Sequence, residues 1–453
     1  MLRYLEQLCR ISIAGLVLTI FLKEFTNIKI LGSLEVFLLV VVISTCLVLA
    51  KGIPFYMSLT TLTLGHILLF KYQMGYQIWL EGITKNLPLA IIFVMVPILS
   101  IPLRLGGYLQ AVSGFVGNFI NKTGILFSAL SSAVYGLSSI TNLGAIRIVH
   151  TLLEDVKFPP RFLGRAYCVG FASVITWSPY FASVNLVLYY TGVDFSRFFI
   201  FGFMLGILYI LLGNLIFFTD KTLQLEVQES IKKVPFSKYH NRKILQLFFN
   251  LIALFAVVVI GEKFFNFSSM MFLVSFLAVV YAAVWSLFLK EFRLFARQLK
   301  GYYQGMIEVK NELVFFISVG FFGVVLANTP LQKIIENIFR GVSDYSTFIL
   351  VEFILIVIAL LSIVGIHHII TITTLGLTIK ASMLGMTDIS YSLTLIAAYG
   401  LSMVLSPFAP FNIITGGLTK EPSFIVSLKW NLTFGAVAIL FSGIYITFVN
   451  SMF

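Results

Sequence analysis

Trp177-Ser178-Pro179-Tyr180 and Leu405-Ser406-Pro407-Phe408 are the only two Ser-Pro steps in this chain, standing 228 residues apart (Ser178 to Ser406). Each lies in the middle of a long apolar run, and each is followed by an asparagine, Asn185 and Asn412. Proline removes a backbone donor and clashes with the preceding turn, so each run reads as a helix broken in its middle. The surroundings repeat as well. Gly136-Leu137-Ser138-Ser139-Ile140 aligns with Gly365-Ile366-His367-His368-Ile369 at an offset of 229 (Gly136 to Gly365), and Lys85-Asn86 upstream matches Lys310-Asn311. Matches in order, at nearly one offset, point to a duplicated chain.

Composition fixes the environment. Of 453 residues, 59% are hydrophobic and 11% charged, against roughly a quarter charged in soluble chains; mean hydropathy is +1.00. Apolar runs near the span of a bilayer core, about 20 residues, recur throughout. They are continuous, not alternating, so they read as transmembrane helices. The net charge of +12 fits the cationic bias of cytoplasmic loops better than nucleic-acid binding. Cys9, Cys46 and Cys168 form no spaced pair, which suggests neither a disulfide framework nor a zinc site. Arg3 and Arg10 precede an apolar run that has no small-residue cleavage site, so the first span reads as retained.

The spans fall at about 8–22, 30–50, 53–70, 86–103, 162–192, 197–218, 244–262, 268–289, 313–329, 389–417 and 424–447. Two polar-interrupted stretches, about 107–155 and 346–380, read as containing re-entrant hairpins. With the N-terminus inside, Arg3, Arg10, Lys51, Arg104, Lys157, Arg161, Arg165, Lys221, Lys232, Lys233, Lys238, Arg242, Lys243, Lys290, Arg293, Arg297, Lys300 and Lys310 gather on the cytoplasmic side, as the positive-inside rule requires. The C-terminus is then outside. The bias holds only if the first hairpin (about 123–155) opens inward and the second (about 346–380) outward. The expected layout is an all-α polytopic membrane protein: an extra span in 1–28, repeat 1 in 29–219, a hydrophilic cytoplasmic linker at 220–243, and an inverted repeat 2 in 244–453. Inverted repeats with helices broken at matching positions are the sequence pointer to a transport site near the midplane.

Carbonyls freed at a break need partners at membrane depth, and a hard cation is one. Ser178, Pro179, Ser183 and Asn185 surround the first break, and Ser406, Pro407, Asn412 and Thr415 the second. Oxygen donors of this kind suit Na⁺. The bland alternative is a kinked, packed helix with Ser and Asn as glue; its recurrence at matching positions favours a site. The hairpin tips carry Ser138, Ser139, Thr141 and Asn142 in the first half, and His367, His368, Thr371, Thr373 and Thr374 in the second. Helix ends left there suit an anion, as against a turn satisfied by its own side chains. Adjacent intramembrane histidines suit substrate donation or proton carriage. Arg147, just beyond the first tip, either pairs with substrate or snorkels to an interface. No acidic residue occurs at 82–153, 156–193, 353–387 or 389–420. The presumed core therefore lacks a carboxylate proton carrier and an acidic catalytic pair, and no P-loop, nucleophile elbow or zinc-protease motif is present. On this reading Ser178→Ala or Asn412→Ala weakens cation dependence and leaves folding largely intact.

The order of elements resembles the divalent anion/sodium symporter family and its relatives in the ion transporter superfamily. The first hairpin place is taken by Ser138-Ser139-Ile140-Thr141-Asn142, and the second by Gly365-Ile366-His367-His368-Ile369, where that family carries Ser-Asn-Thr triplets. The resemblance implies a homodimer with an elevator mechanism. Spans 4 and 9 with their amphipathic continuations (106–122 and 331–343) would frame a moving domain of both hairpins and spans 5, 6, 10 and 11.

These readings converge on a cation-coupled (Na⁺ or H⁺) secondary transporter of a small anionic solute, an organic acid, in the cytoplasmic membrane. No cofactor beyond the coupling ion, no nucleic acid and no enzymatic activity is expected. A transporter of a lipid-linked or envelope-precursor anion is the alternative, and a membrane-embedded envelope enzyme, for which the external loops are short, is the third.

Overall fold

The computed structural model describes residues 2–26, 28–119, 122–153, 158–231, 242–265 and 267–453. Lys157, Lys232, Lys233, Lys238, the end of the expected first hairpin at 154–155 and residues 232–241 of the expected linker lie outside them.

The described chain is helical throughout. In order come α1 (Leu2–Phe25), α2 (Lys29–Leu49), α3 (Ile53–Lys71), α4 (Tyr76–Lys85), α5 (Leu87–Met95), α6 (Ser100–Leu105), α7 (Tyr108–Gly117), α8 (Thr123–Thr141), α9 (Gly144–Leu152), α10 (Pro160–Ile175), α11 (Ala182–Thr191) and α12 (Phe195–Thr219). Then follow α13 (Lys221–Ile231), α14 (Arg242–Phe264), α15 (Met270–Phe288), α16 (Phe292–Gly305), α17 (Lys310–Ala327), α18 (Leu331–Ser343), α19 (Thr347–Ile363), α20 (His368–Thr378), α21 (Asp388–Leu405), α22 (Pro410–Thr419) and α23 (Leu432–Ser451). Among the described residues, 11 helical segments are long and apolar enough to cross a bilayer. Only 22% of the apolar window of α3 is buried, so its remaining surface is left for lipid. This is a polytopic α-helical membrane protein.

Two expectations change in detail. The fourth span starts at Tyr76, ten residues early, and is segmented: α4 gives way to α5 at Asn86, and a 3-10 turn at Val96–Leu99 precedes α6. Asn86 Nδ2 donates to the Phe316 carbonyl of α17 at 3.0 Å, tying the joint to its neighbour, and Pro88 and Pro97 both sit in first turns, where proline is tolerated. The hydrophilic stretch after α12 is also not all loop. Leu223 and Val227, one turn apart, are fully buried and make α13 a packed helix.

The chain packs as two compact units: Met1–Leu105 with Ile260–Asn337 and Thr373–Ile379, and Gly106–Val259 with Ile338–Ile372 and Lys380–Phe453. Each draws on both sequence halves. In the first, Cys9, Ile13, Leu16 and Ile20 of α1 bury against Leu39, Val42 and Cys46 of α2 at helical spacing. The thiols of Cys9 and Cys46 meet at 3.4 Å, a proximity that their spacing of 37 residues gave no sign of. In the second unit α10 is clasped between α8 and α12. Gly170 lies on the Ser131 carbonyl of α8 and Gly206 of α12 on the Ser173 carbonyl of α10, and a Cβ at either would collide with backbone; small residues permit this approach.

Candidate functional site

The second unit holds the two broken helices and both hairpin tips. The first break lies between α10 and α11, and the second between α21 and α22. They cross: α11 packs on α21 and α22 on α10, and Phe171 stacks on Phe411 at 5.2 Å between ring centroids.

The same hydrogen bond recurs in both halves. Ser178 Oγ donates to the Ser139 carbonyl at 3.0 Å, and Ser406 Oγ donates to the Ser362 carbonyl at 2.6 Å. Ser139 and Ser362 sit in the last turns of α8 and α19, where helix carbonyls lack intrahelical partners. Each Ser-Pro step is thereby stitched to the end of the hairpin arm in its own half. The asparagines recur too. Asn185 Nδ2 donates to the Pro179 and Phe181 carbonyls. Asn412 Nδ2 donates to the carbonyls of Met403, Val404 and Ser406 at 3.1, 2.7 and 2.8 Å. Amide protons, then, satisfy carbonyls freed by the breaks. What stays open is the other end of each amide: Asn185 Oδ1 and Asn412 Oδ1 are buried and accept no hydrogen bond, and Thr415 Oγ1 and Ser138 Oγ are buried without partners. Three carbonyl acceptors around one Asn412 nitrogen fix which end is nitrogen. A buried acceptor oxygen left bare is costly, and a hard cation is a partner of the right chemistry. Ser183 Oγ donates to the Ile175 carbonyl at 3.2 Å, leaving its lone pairs available.

The hairpin turns are tight. Asn142 caps α8 at φ 52° and ψ −133°, a positive φ that asparagine tolerates better than most residues, and its Oδ1 accepts from the Leu143 amide at 2.8 Å. Ser139 and Thr141 return their hydroxyls to the Gly136 and Leu137 carbonyls. The second arms are short: α9 has 9 residues and α20 has 11, about 14 and 17 Å at 1.5 Å per residue, roughly half a bilayer. The second turn passes through Gly365 at φ 100°, open to glycine alone in practice. His367 Nδ1 accepts from the Ile369 amide at 3.3 Å, so a neutral His367 carries its proton on Nε2 and presents a donor. The rings of His367 and His368 lie 4.2 Å apart, and His368 meets Tyr399 edge-on at 4.5 Å. His368 Nε2 is buried without a partner, and Thr371 Oγ1 returns to the His368 carbonyl at 2.8 Å.

The expected residues divide. Ser138, Ser139, Thr141, Asn142, Ser178, Pro179, Ser183, Asn185, His367, His368, Thr371, Ser406, Pro407, Asn412 and Thr415 all belong to the second unit, as does Arg147, exposed on α9. Thr373 and Thr374 belong to the first, where Thr373 packs on Gly323 of α17. Among the described residues no group of His, Cys, Asp and Glu could hold a metal ion.

Two features escaped the sequence reading. Trp177 sits in an aromatic nest of Tyr135, Phe199, Phe203 and Phe255, drawn from helices distant in sequence. At the start of α10, Asp220 accepts from Arg161 at 2.8 Å and Arg165 at 2.6 Å, and Arg165 Nε donates to the Trp430 carbonyl at 2.9 Å. Burial by itself would raise the Asp220 carboxyl, but the Leu223 amide and the two guanidiniums hold it below its usual range.

No family model matches the chain, and no curated protein is similar to it. Solved structures share its fold. The YdaH transporter of Alcanivorax borkumensis matches with a TM-score of 0.56 at 15% identity, over 87% of this chain and 97% of that one. At such identity the likeness is one of fold. It supports a polytopic α-helical membrane architecture and does not extend to the divalent anion/sodium symporter family that the element order resembles.

Proposed function

We propose that the chain is a cation-coupled secondary transporter of a small anionic solute, an organic acid, built from two inverted repeats. The observation that carries this reading is the pair of buried, unsatisfied amide oxygens, Asn185 Oδ1 and Asn412 Oδ1, at matching breaks, each beside a serine stitched to its hairpin tip. Na⁺ would take these oxygens with Thr415 Oγ1. The solute would lie at the tips, with Ser138 Oγ and His367 Nε2–H as donors, in surroundings where α8–α11, α20 and α22 carry no carboxylate. The second unit would carry the site across the bilayer in an elevator movement, with the chain as a homodimer of the cytoplasmic membrane, N-terminus inside. Membership of the divalent anion/sodium symporters or a sister family is part of this reading.

The test is uptake by proteoliposomes of the purified chain across a panel of organic acids under imposed sodium or proton gradients. Gradient-driven accumulation of at least one acid supports the reading. Gradient-independent flux, or none for any acid, overturns it.

A further inference from the structure

Glu352 lies in the second turn of α19 and is the only acidic residue between positions 345 and 387. Its Oε1 is buried and without a hydrogen-bond partner. The oxygen rests against Gly443 of α23, where a Cβ would collide with it, so the glycine is what admits the carboxyl. The neighbouring Ser442 Oγ shares a hydrogen bond of 2.7 Å with Tyr209 OH of α12, both fully buried, and Tyr209 lies within electrostatic reach of Glu352. Among the described residues Glu352 forms no ion pair. The titratable groups on the elements packed against α19 are Asp388, Tyr391 and Tyr399 of α21 and Tyr445 of α23; α18, touching through Phe339 and Phe353, adds the exposed Arg340. None supplies a buried cation to offset a charge on Glu352.

A carboxylate half-buried against an apolar helix, with the Gly443 amide as its nearest donor and no buried cation beside it, is costly to ionise, and such groups in membranes mark ion and proton pathways. We propose that Glu352 is a proton-binding site of the second unit. It takes a proton from water, holds it as the neutral acid where α19 closes on α23, and returns it when the two helices part enough to hydrate the carboxylate. This deepens the coupled-transport reading, on which it rests, by giving the coupling a proton and a residue on the hairpin arm to carry it.

The test uses the full chain in lipid vesicles and N,N′-dicyclohexylcarbodiimide, an apolar reagent that modifies protonated carboxyls at membrane depth, with adducts located by peptide mass mapping. Glu352 is expected to carry the adduct at acid pH, with labelling falling about tenfold per pH unit once the group ionises, and E352Q to show none at that peptide. If E352Q fails to fold, as judged by gel filtration, the pH dependence in the natural chain decides alone. No adduct on Glu352 at any pH, or labelling that does not vary with pH, overturns the proposal. Since labelling needs no solute, labelling without uptake of any acid upholds the proton site while sinking the transport reading, and uptake without labelling does the reverse.

Discussion

Asn412→Ala is the sharpest single perturbation of the second break. The side-chain amide has two protons and three carbonyl acceptors, at 3.1, 2.7 and 2.8 Å from Nδ2, so it counts as two hydrogen bonds, one of them shared. Each is worth about 0.5–1.5 kcal/mol net, and a buried carbonyl left bare costs about 1–3 kcal/mol. Alanine should therefore destabilise the fold by about 2–4 kcal/mol. That revises the reading from sequence, in which this change left folding largely intact: the residue that would offer Oδ1 to a cation also holds the break with Nδ2. A bound cation adds a second signature. At about a hundred times its dissociation constant, a ligand that binds only the folded state adds about 2.7 kcal/mol, and the alanine variant should lose most of this. The assay is thermal unfolding in detergent, in sodium chloride and in choline chloride at equal ionic strength. Ser286→Ala, which gives up one 2.8 Å bond to the Ala282 carbonyl within α15, outside the candidate site, serves as the mild control. An Asn412→Ala protein that melts within about 0.5 kcal/mol of the natural chain in choline, and responds to sodium as the natural chain does, would refute both the stitch and the cation site.

Gly365→Ala should strain the second hairpin turn, since φ 100° costs an L residue about 1–2 kcal/mol while the nearest ring atom, on Phe408 at 3.6 Å, gives only ordinary contact; an unchanged melting temperature would count against the turn as described. Asp220, held below its usual range, contributes stability that is fully present above the unfolded value of about 3.9 and is lost as pH falls through the lower folded value. Asp220→Asn should therefore lower the melting temperature at neutral pH and flatten the acid limb, and matching melting curves across pH would remove the ion pairs from the account. His367→Ala should weaken solute affinity or alter the pH dependence of uptake, because Nε2–H is the donor it presents; a variant with both unchanged places that ring outside the site.

Much of the architecture was legible in the sequence, and for local reasons. A Ser-Pro step in an apolar run announces a broken helix because proline acts on its own turn. Small polar clusters such as Ser138–Asn142 announce a hairpin turn because the side chains cap the backbone beside them. What stayed hidden depends on distant contacts. Nothing around Leu223 and Val227 marks α13 as packed until α8 and α12 lie against it. Cys9 and Cys46 meet because α1 and α2 pair in a register that spacing does not encode. Glu352 escaped because it stands one residue outside the acid-free stretch that starts at 353, and only the close approach of its Oε1 to Gly443 marks it. At the site, the residue types were readable at both breaks, but which end of each asparagine faces the carbonyls required the folded backbone.

The inverted relation of the two halves is tested most directly by membrane-impermeant thiol labelling of K122C and K380C, made singly in a chain whose Cys9, Cys46 and Cys168 are replaced. Both positions are exposed, Lys122 just before the first hairpin and Lys380 just after the second. With the halves inverted, K380C reacts from outside intact cells and K122C only after permeabilisation. Labelling of both from the same side would contradict that inversion.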